Sequence, residues 1–301
     1  MKHKKLIGLL ILLLIYAASA VIGGLVFYLL KDYMNYLVAI LIADVVATVV
    51  VWACGIVCKT PSVYDPYWSV QTVIIYTALL FYFNNWYLFT IVPLVAMALY
   101  SIRLTTNFII GFHGLDYVDW RYAMLREKSG RLFQVVNLMG ICMFPTLVVY
   151  LASIPLFVYA TLPFESFTYF DLIGSGVIAL GVFFELISDI QMKSFIRNRT
   201  SREEVINIGM WKYSRHPNYL GEIIIWFGVA LVLLPVHYSY WYWAAGAVVN
   251  LLMFLFISIP MEEKHMLEYK PSLKDYINTT SCLLLLPRKK QRKDENVSET
   301  N

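Results

Sequence analysis

Charge is what this sequence has least of. Only 15% of its 301 residues are Asp, Glu, Lys or Arg, against roughly 25% in soluble domains, which excludes a water-soluble body for most of the chain. Cysteine is scarce as well. Cys54, Cys58, Cys142 and Cys282 stand in apolar runs or beside basic segments, so no disulfide framework is expected. Cys54 and Cys58 are one helical turn apart, but no second pair accompanies them, and they read as small apolar fillers. His113, His216 and His265 are scattered without metal-ligand spacing. The chain also lacks a G-x-G-x-x-G, a P-loop and an H-E-x-x-H, which removes the nucleotide and zinc sites of soluble folds.

What fills the sequence instead is hydrocarbon: 59% of residues are apolar and 16% aromatic. A bilayer span needs about 20 mostly apolar residues. Runs at roughly 6 to 30, 36 to 58, 69 to 83, 86 to 104, 132 to 160, 170 to 192, 220 to 236 and 238 to 260 satisfy or approach that length. The expected fold is therefore all-α, a polytopic transmembrane bundle of about eight spans. MKHKK followed by LIGLLILLLIYAASA resembles a signal peptide, but the apolar run continues to Leu30, which favours an uncleaved first helix.

Basic residues set the orientation. With eight spans and the N-terminus inside, 23 of the 24 Lys and Arg residues fall in cytoplasmic segments and only Lys31 lies outside. Both termini are thus expected in the cytoplasm, in a bacterial inner membrane or in the endoplasmic reticulum of a eukaryote. The formal charge of +4 belongs to these loops, facing anionic headgroups or an anionic cofactor, and gives no sign of nucleic acid. The charged tail over 288–301 reads as disordered, and the resemblance described below divides the rest into N-terminal helices over 1–58 and a membrane catalytic domain expected over 59–287.

Polar residues concentrate on the expected cytoplasmic side, at KTPSVYDPYWS, at Arg103 to Arg131, at Lys193 to Gly221 and at MEEKHMLEYKPSLKDY. Asp189 ends one apolar run and Glu222 begins another; ionisable groups within spans cost roughly 2.5–3.5 kcal/mol on insertion and point to function. Asp44, in LIADVVATVV, lies deeper, with no partner legible from sequence. Lys193, Arg197, Arg199, Arg202, Lys212, Arg215 and His216 precede a helix start, a combination suited to phosphate. Trp211, Tyr213 and Tyr219 interleave with them as stacking surfaces for a base.

The segment WKYSRHPNYLGE, Trp211 to Glu222, resembles the C-terminal signature of the steroid 5-alpha-reductase superfamily, in particular its bacterial branch. DPYWSV at 65–70, DWRYAMLREKSG at 119–130, ISDIQMKSFIR at 187–197 and SIPMEEKHMLEY at 258–269 extend the likeness over roughly residues 60–287. The resemblance implies an NADPH-dependent membrane reductase acting on an activated carbon-carbon double bond in a lipid substrate taken from the bilayer. By the same resemblance Asp189, Asn218 and Glu222 bind the cofactor or line its site, joined by Arg215, His216 and Tyr219. Lys193 and Arg197 match basic positions near its phosphates. Tyr100 and Arg103 are similar to a Y-x-x-R whose tyrosine polarises the enone carbonyl; the chain departs from the motif at that tyrosine's acidic partner, for which Asp65 is the candidate. Glu262 and Tyr276 align with the acid and tyrosine of the sterol reductase branch. Asn278 and Thr279 stand where relatives carry arginine, which leaves the substrate open. R-H-P-x-Y-x-G also occurs in isoprenylcysteine carboxyl methyltransferases, which use S-adenosylmethionine, and a non-catalytic lipid-binding protein is the third reading.

Overall fold

The structure is a computed structural model that describes residues 2–116, 118–164, 168–235 and 237–289. From residue 290 onward the expected tail lies outside the described residues. The described chain is helical, with one isolated bridge between Ser214 and Ser281. Its helices are α1 (Lys2–Leu30), α2 (Tyr36–Val57), α3 (Tyr67–Phe83), α4 (Leu88–Gly111), α5 (Trp120–Ser129), α6 (Phe133–Val136), α7 (Phe144–Tyr159), α8 (Leu172–Asn198), α9 (Pro217–Leu233), α10 (Ala245–Met253), α11 (Ile259–Leu267) and α12 (Leu273–Thr279). The π turns Asn137–Met143 and Phe254–Ser258 join α6 to α7 and α10 to α11.

Local chemistry sets the ends of these helices. The Asn35 side chain accepts the Leu37 N–H at 2.9 Å and opens α2, and Asp119 accepts the Arg121 N–H at 2.9 Å to open α5, each satisfying an orphan donor of a first turn. Asn84 closes α3 in the left-handed region at φ 51°, and Gly130, also at φ 51°, ends α5, as helix C-termini favour.

Among the described residues, six helical runs are long and apolar enough to cross a membrane: His3–Leu30, Tyr36–Val57, Leu88–Gly111, Trp120–Tyr159, Leu172–Asn198 and Tyr238–Leu267. They make the chain a multi-pass membrane protein. The other two expected spans are α3 and α9, of 17 residues each, about 25 Å at 1.5 Å per residue and so at the short limit for a crossing. Leu14 at 69%, Phe81 at 70% and Phe256 at 73% are exposed, an arrangement that water opposes and lipid tails accept. Two segments expected as cytoplasmic loops are partly helical. α4 continues past Arg103 to Gly111, α5 occupies 120–129, and α8 continues past Lys193 to Asn198, because Lys, Arg, Met and Leu are good helix formers whatever their polarity.

The chain divides into two compact units, residues 1–179 with 225–250 and residues 180–224 with 251–301. The 58/59 boundary implied by the resemblance lies inside the first. In that unit helices meet through glycine. A Cβ on Gly174 would stand 2.3 Å from the Val232 nitrogen, and one on Gly246 would stand 2.2 Å from the Leu151 carbonyl oxygen. Backbone contact of this kind replaces hydrophobic force where lipid is the solvent. Polar side chains in the same core pair with each other: the Thr146 hydroxyl lies 3.0 Å from that of Thr48 and 2.8 Å from that of Tyr64, and Thr72 and Ser153 lie 2.7 Å apart.

These glycines set a stability test. Gly174→Ala and Gly246→Ala are each expected to cost about 1–3 kcal/mol through overpacking, seen as a lower melting temperature in detergent. Gly176→Ala, whose Cβ meets nothing within 4 Å, is expected to be neutral or stabilising; equal losses in all three would refute the close-contact account.

Candidate functional site

Ten of the twelve residues singled out from sequence fall in the second unit. Asp189, Lys193 and Arg197 recur every four residues on α8 and so share one face, with Asp189 half-buried and the two cations exposed. Beside this helix runs the segment that carries the signature. Gly209 adopts φ 54°, and a Cβ there would stand 2.3–2.5 Å from the Gln191 amide, so glycine is required. Gln191 Oε1 accepts the Met210 N–H at 3.0 Å, and the Trp211 indole N–H donates to the Ser188 carbonyl at 3.1 Å. Trp211 is buried by this bond; the expectation that it offers a stacking face for a base is corrected, whereas Tyr213 is exposed.

The next four residues are held from the C-terminal side. The Arg215 N–H donates to the Ser281 carbonyl at 2.9 Å, and the Leu286 N–H donates to the Tyr213 carbonyl at 3.2 Å. Ser214 Oγ accepts the His216 N–H at 3.2 Å, and Pro217 then starts α9, where its fixed φ and missing N–H suit a first helical position. Gly221 lets α9 lie against α8, since a Cβ there would stand 2.5 Å from Glu185 Cγ and 2.8 Å from the Gly181 carbonyl oxygen. Asn218 and the buried Glu222 lie four residues apart on one face of α9.

At this helix start one carboxylate oxygen serves two partners. Glu263 Oε1 lies 2.8 Å from His216 Nε2 and 2.9 Å from Arg215 Nη1. The His216 ring stacks on Tyr219 with centroids 5.3 Å apart and planes within 6°, and Tyr219 in turn meets Phe254 at 4.7 Å. The Arg215 contact is an ion pair by distance but not along an N–H axis. Its buried Nε and Nη1 are left without a hydrogen-bond acceptor, and Asn218 Oδ1 is buried without a donor. Buried polar atoms are nearly always satisfied, so the Arg215 Nε and the Asn218 amide oxygen, left over at one helix start, mark a place that can take a polar ligand.

Glu262, the acid read from sequence, is not part of this cluster; its neighbour Glu263 is. Glu263 lies four residues after the buried Ile259 and so on the inward face of α11, whereas the helical period alone does not separate it from Glu262, three residues after Ile259. Tyr276 is buried, and its hydroxyl donates to the backbone carbonyl of Trp211 and approaches that of Ser214 at 3.2 Å. Burial pushes that hydroxyl well above the usual tyrosine range, against the smaller opposing pull of Arg288 and Arg215. Past the sequence boundary at 287, the Lys289 N–H still bonds the Thr279 carbonyl at 2.8 Å.

Tyr100 and Arg103 belong to α4 in the first unit. Tyr100 is buried and meets Trp226 edge-on, with centroids 5.9 Å apart. Asp65 lies in the turn before α3 and accepts the Tyr122 hydroxyl. Burial pushes its carboxyl up to about 6, against the pull of that hydroxyl and of Arg121.

The folded state thus holds the Asp65 proton more tightly than the unfolded chain, whose carboxyl titrates near 3.8. Between about pH 4 and 6 the native state binds more protons, so stability falls as pH rises through that window and levels off above it. Asp65→Asn keeps an acceptor for Tyr122 and should remove this component. The difference in melting temperature between wild type and variant should therefore shift against wild type from pH 4 to 7, and parallel profiles would contradict it.

No curated protein and no solved structure matches the chain. A family model, Protein of unknown function (DUF1295), matches residues 51–280, from the end of α2 through the signature segment to α12. With three quarters of its length so covered, the chain belongs to the DUF1295 family, which is associated with steroid 5-alpha-reductase-like proteins.

Proposed function

We propose that this protein is an NADPH-dependent membrane reductase that saturates an activated carbon-carbon double bond in a lipid. The observation that carries the reading is the pair of unsatisfied atoms at the start of α9, Arg215 Nε and Asn218 Oδ1, within the segment that resembles a reductase signature. These residues fit a nucleotide cofactor: Arg215 for a phosphate, Asn218 for a polar N–H or hydroxyl, and Lys193 and Arg197 as exposed cations. His216 and Tyr219 keep the segment rigid through Glu263 and Phe254. Bound NADPH supplies a hydride to the β carbon of the enone-like substrate.

The protein's own task is then to polarise the carbonyl and to deliver a proton. A tyrosine hydroxyl suits this because it stays protonated at neutral pH. Of the two candidates, Tyr276 has its hydroxyl committed to backbone carbonyls of the signature segment, which makes it a positioning residue. By resemblance the other candidate donor is Tyr100, with Arg103 and Asp65 from the same motif.

The same reading takes α3 and α9 as spans, giving eight crossings with both termini in the cytoplasm. Reporter fusions after Asn35 and after Asn301 should then report opposite sides; the same side for both would overturn the eight-span topology.

Cofactor choice is tested on the purified full-length protein. NADPH at a hundredfold excess over its Kd should raise the melting temperature by about 5 °C or more, and Asn218→Ala or Arg215→Ala should weaken binding by about 1.5–3 kcal/mol. A rise with S-adenosylmethionine alone would transfer the protein to methyl transfer, and no rise with either would leave lipid binding without catalysis. On an identified substrate, Tyr100→Phe should cut turnover about 100-fold or more with NADPH affinity intact. Tyr276→Phe should instead lower both affinity and turnover, as a positioning role requires.

A further inference from the structure

Two cations of the first unit share a pocket that holds no acid. Lys59 follows the end of α2 and Arg126 lies on α5, and both line an open pocket of about 260 Å³ whose wall includes Phe133 and Gln134 of α6. No Asp or Glu is among the lining residues. Neither cation forms an ion pair among the described residues. The Arg126 guanidinium carbon stands 4.6 Å from the centre of the Phe133 ring, which holds the charge at the wall. The ring covers one face of the guanidinium and leaves the N–H edges to donate. Gln134 Oε1 accepts the Asn137 Nδ2 at 3.4 Å, so the exposed Gln134 keeps its own NH2 group as a further donor.

Lys59 occupies an unusual place. Its N–H donates to the Ile56 carbonyl and the Thr60 N–H to the Gly55 carbonyl, each at 3.0 Å, the paired bonds of a Schellman cap. Such a cap holds one residue in the left-handed region, where glycine fits most easily; here that residue is Lys59, at φ 59°. The position gives up backbone ease and gains a charge. α2 is a crossing run of 22 residues, about 33 Å long, so its last turn reaches the headgroup layer of a bilayer. Val57 and Leu132, each next in the chain to a lining residue, are 82% and 67% exposed and offer surface to acyl chains.

We propose that this pocket binds a phosphate group at the membrane surface, with Arg126 and Lys59 as its charge partners and Gln134 as a neutral donor. A guanidinium fork matches phosphate oxygens, and lysine serves them as a point charge. Donors on three separate elements suit a tetrahedral anion better than a planar carboxylate, because its oxygens point in different directions. A phospholipid headgroup and free phosphate share this chemistry. The site goes beyond the reductase reading and does not depend on it, since none of its residues belongs to the proposed cofactor segment.

The test uses full-length protein in detergent, without NADPH. Phosphatidylglycerol and a diacylglycerol with the same chains are titrated by native mass spectrometry, and inorganic phosphate is titrated by melting temperature. If a lipid is the source, phosphatidylglycerol should bind at least about tenfold more tightly than the diacylglycerol, the low end for one hydrogen bond to a charged group. If free phosphate is the source, it should raise the melting temperature of wild type more than that of Arg126→Gln. Arg126→Gln and Lys59→Gly should each weaken the ligand that binds by about tenfold or more. Lys59→Gly should do so with no loss of melting temperature, because glycine relieves the left-handed backbone. Arg126 is exposed on α5, so its variant decides the matter should Lys59→Gly fail to fold. Lys128→Gln removes a charge from the same helix outside the pocket and should leave binding unchanged. Equal binding of the two lipids, together with equal phosphate responses of wild type and Arg126→Gln, would overturn the proposal. So would wild-type affinity in a folded pocket variant, or an equal loss in Lys128→Gln, which would mark a diffuse basic surface. Because binding is read without NADPH, failure of the cofactor reading would leave this result standing.

Discussion

Hydrocarbon offers no hydrogen-bond partner to a backbone N–H or C=O, and this constraint shapes the whole molecule. It makes the described chain helical and turns leucine, phenylalanine and isoleucine outward. It also removes the usual force that drives helices together, since lipid tails are as apolar as the side chains. Glycines that bring backbones into contact, such as Gly174 against Val232 and Gly246 against Leu151, and paired hydroxyls such as Thr72 with Ser153 provide the packing in its place.

Under that constraint an unsatisfied polar atom is informative. Most buried polar groups are paired within their unit, including the Trp211 indole and the Tyr276 hydroxyl. Two exceptions stand out by their setting. One is the start of α9, where Arg215 and His216 share Glu263 while the guanidinium and Asn218 keep spare capacity. The other is Gln71, whose amino group is held by Asp44 and whose carbonyl oxygen is buried without a donor.

The signature segment also shows why a tyrosine can look catalytic in sequence and be structural in the fold. Tyr276 ties α12 to the backbone ahead of α9, and the Ser214–Ser281 bridge does the same a few residues away. Together with Gln191 on the α8 side, these bonds fix the direction in which Arg215 and Asn218 enter the helix. A ligand at such a site meets groups already oriented, which lowers the ordering cost of binding.

Sequence by itself determined the membrane-spanning class, the approximate helix boundaries, and the crowding of polar residues around 189–222. These are local properties, set by apolar run length, helical period and the cost of charge in hydrocarbon. It could not choose between Glu262 and Glu263 without the face on which Ile259 is buried, nor name the partners of Asp44, which lie 23 and 27 residues along the chain. It also read 103–131 and 193–198 as loop because polarity and backbone conformation are separate quantities. Those outcomes were decided only by tertiary structure, since a hydrogen bond between distant residues exists once helices are packed at a given rotation, and rotation depends on where glycines allow contact.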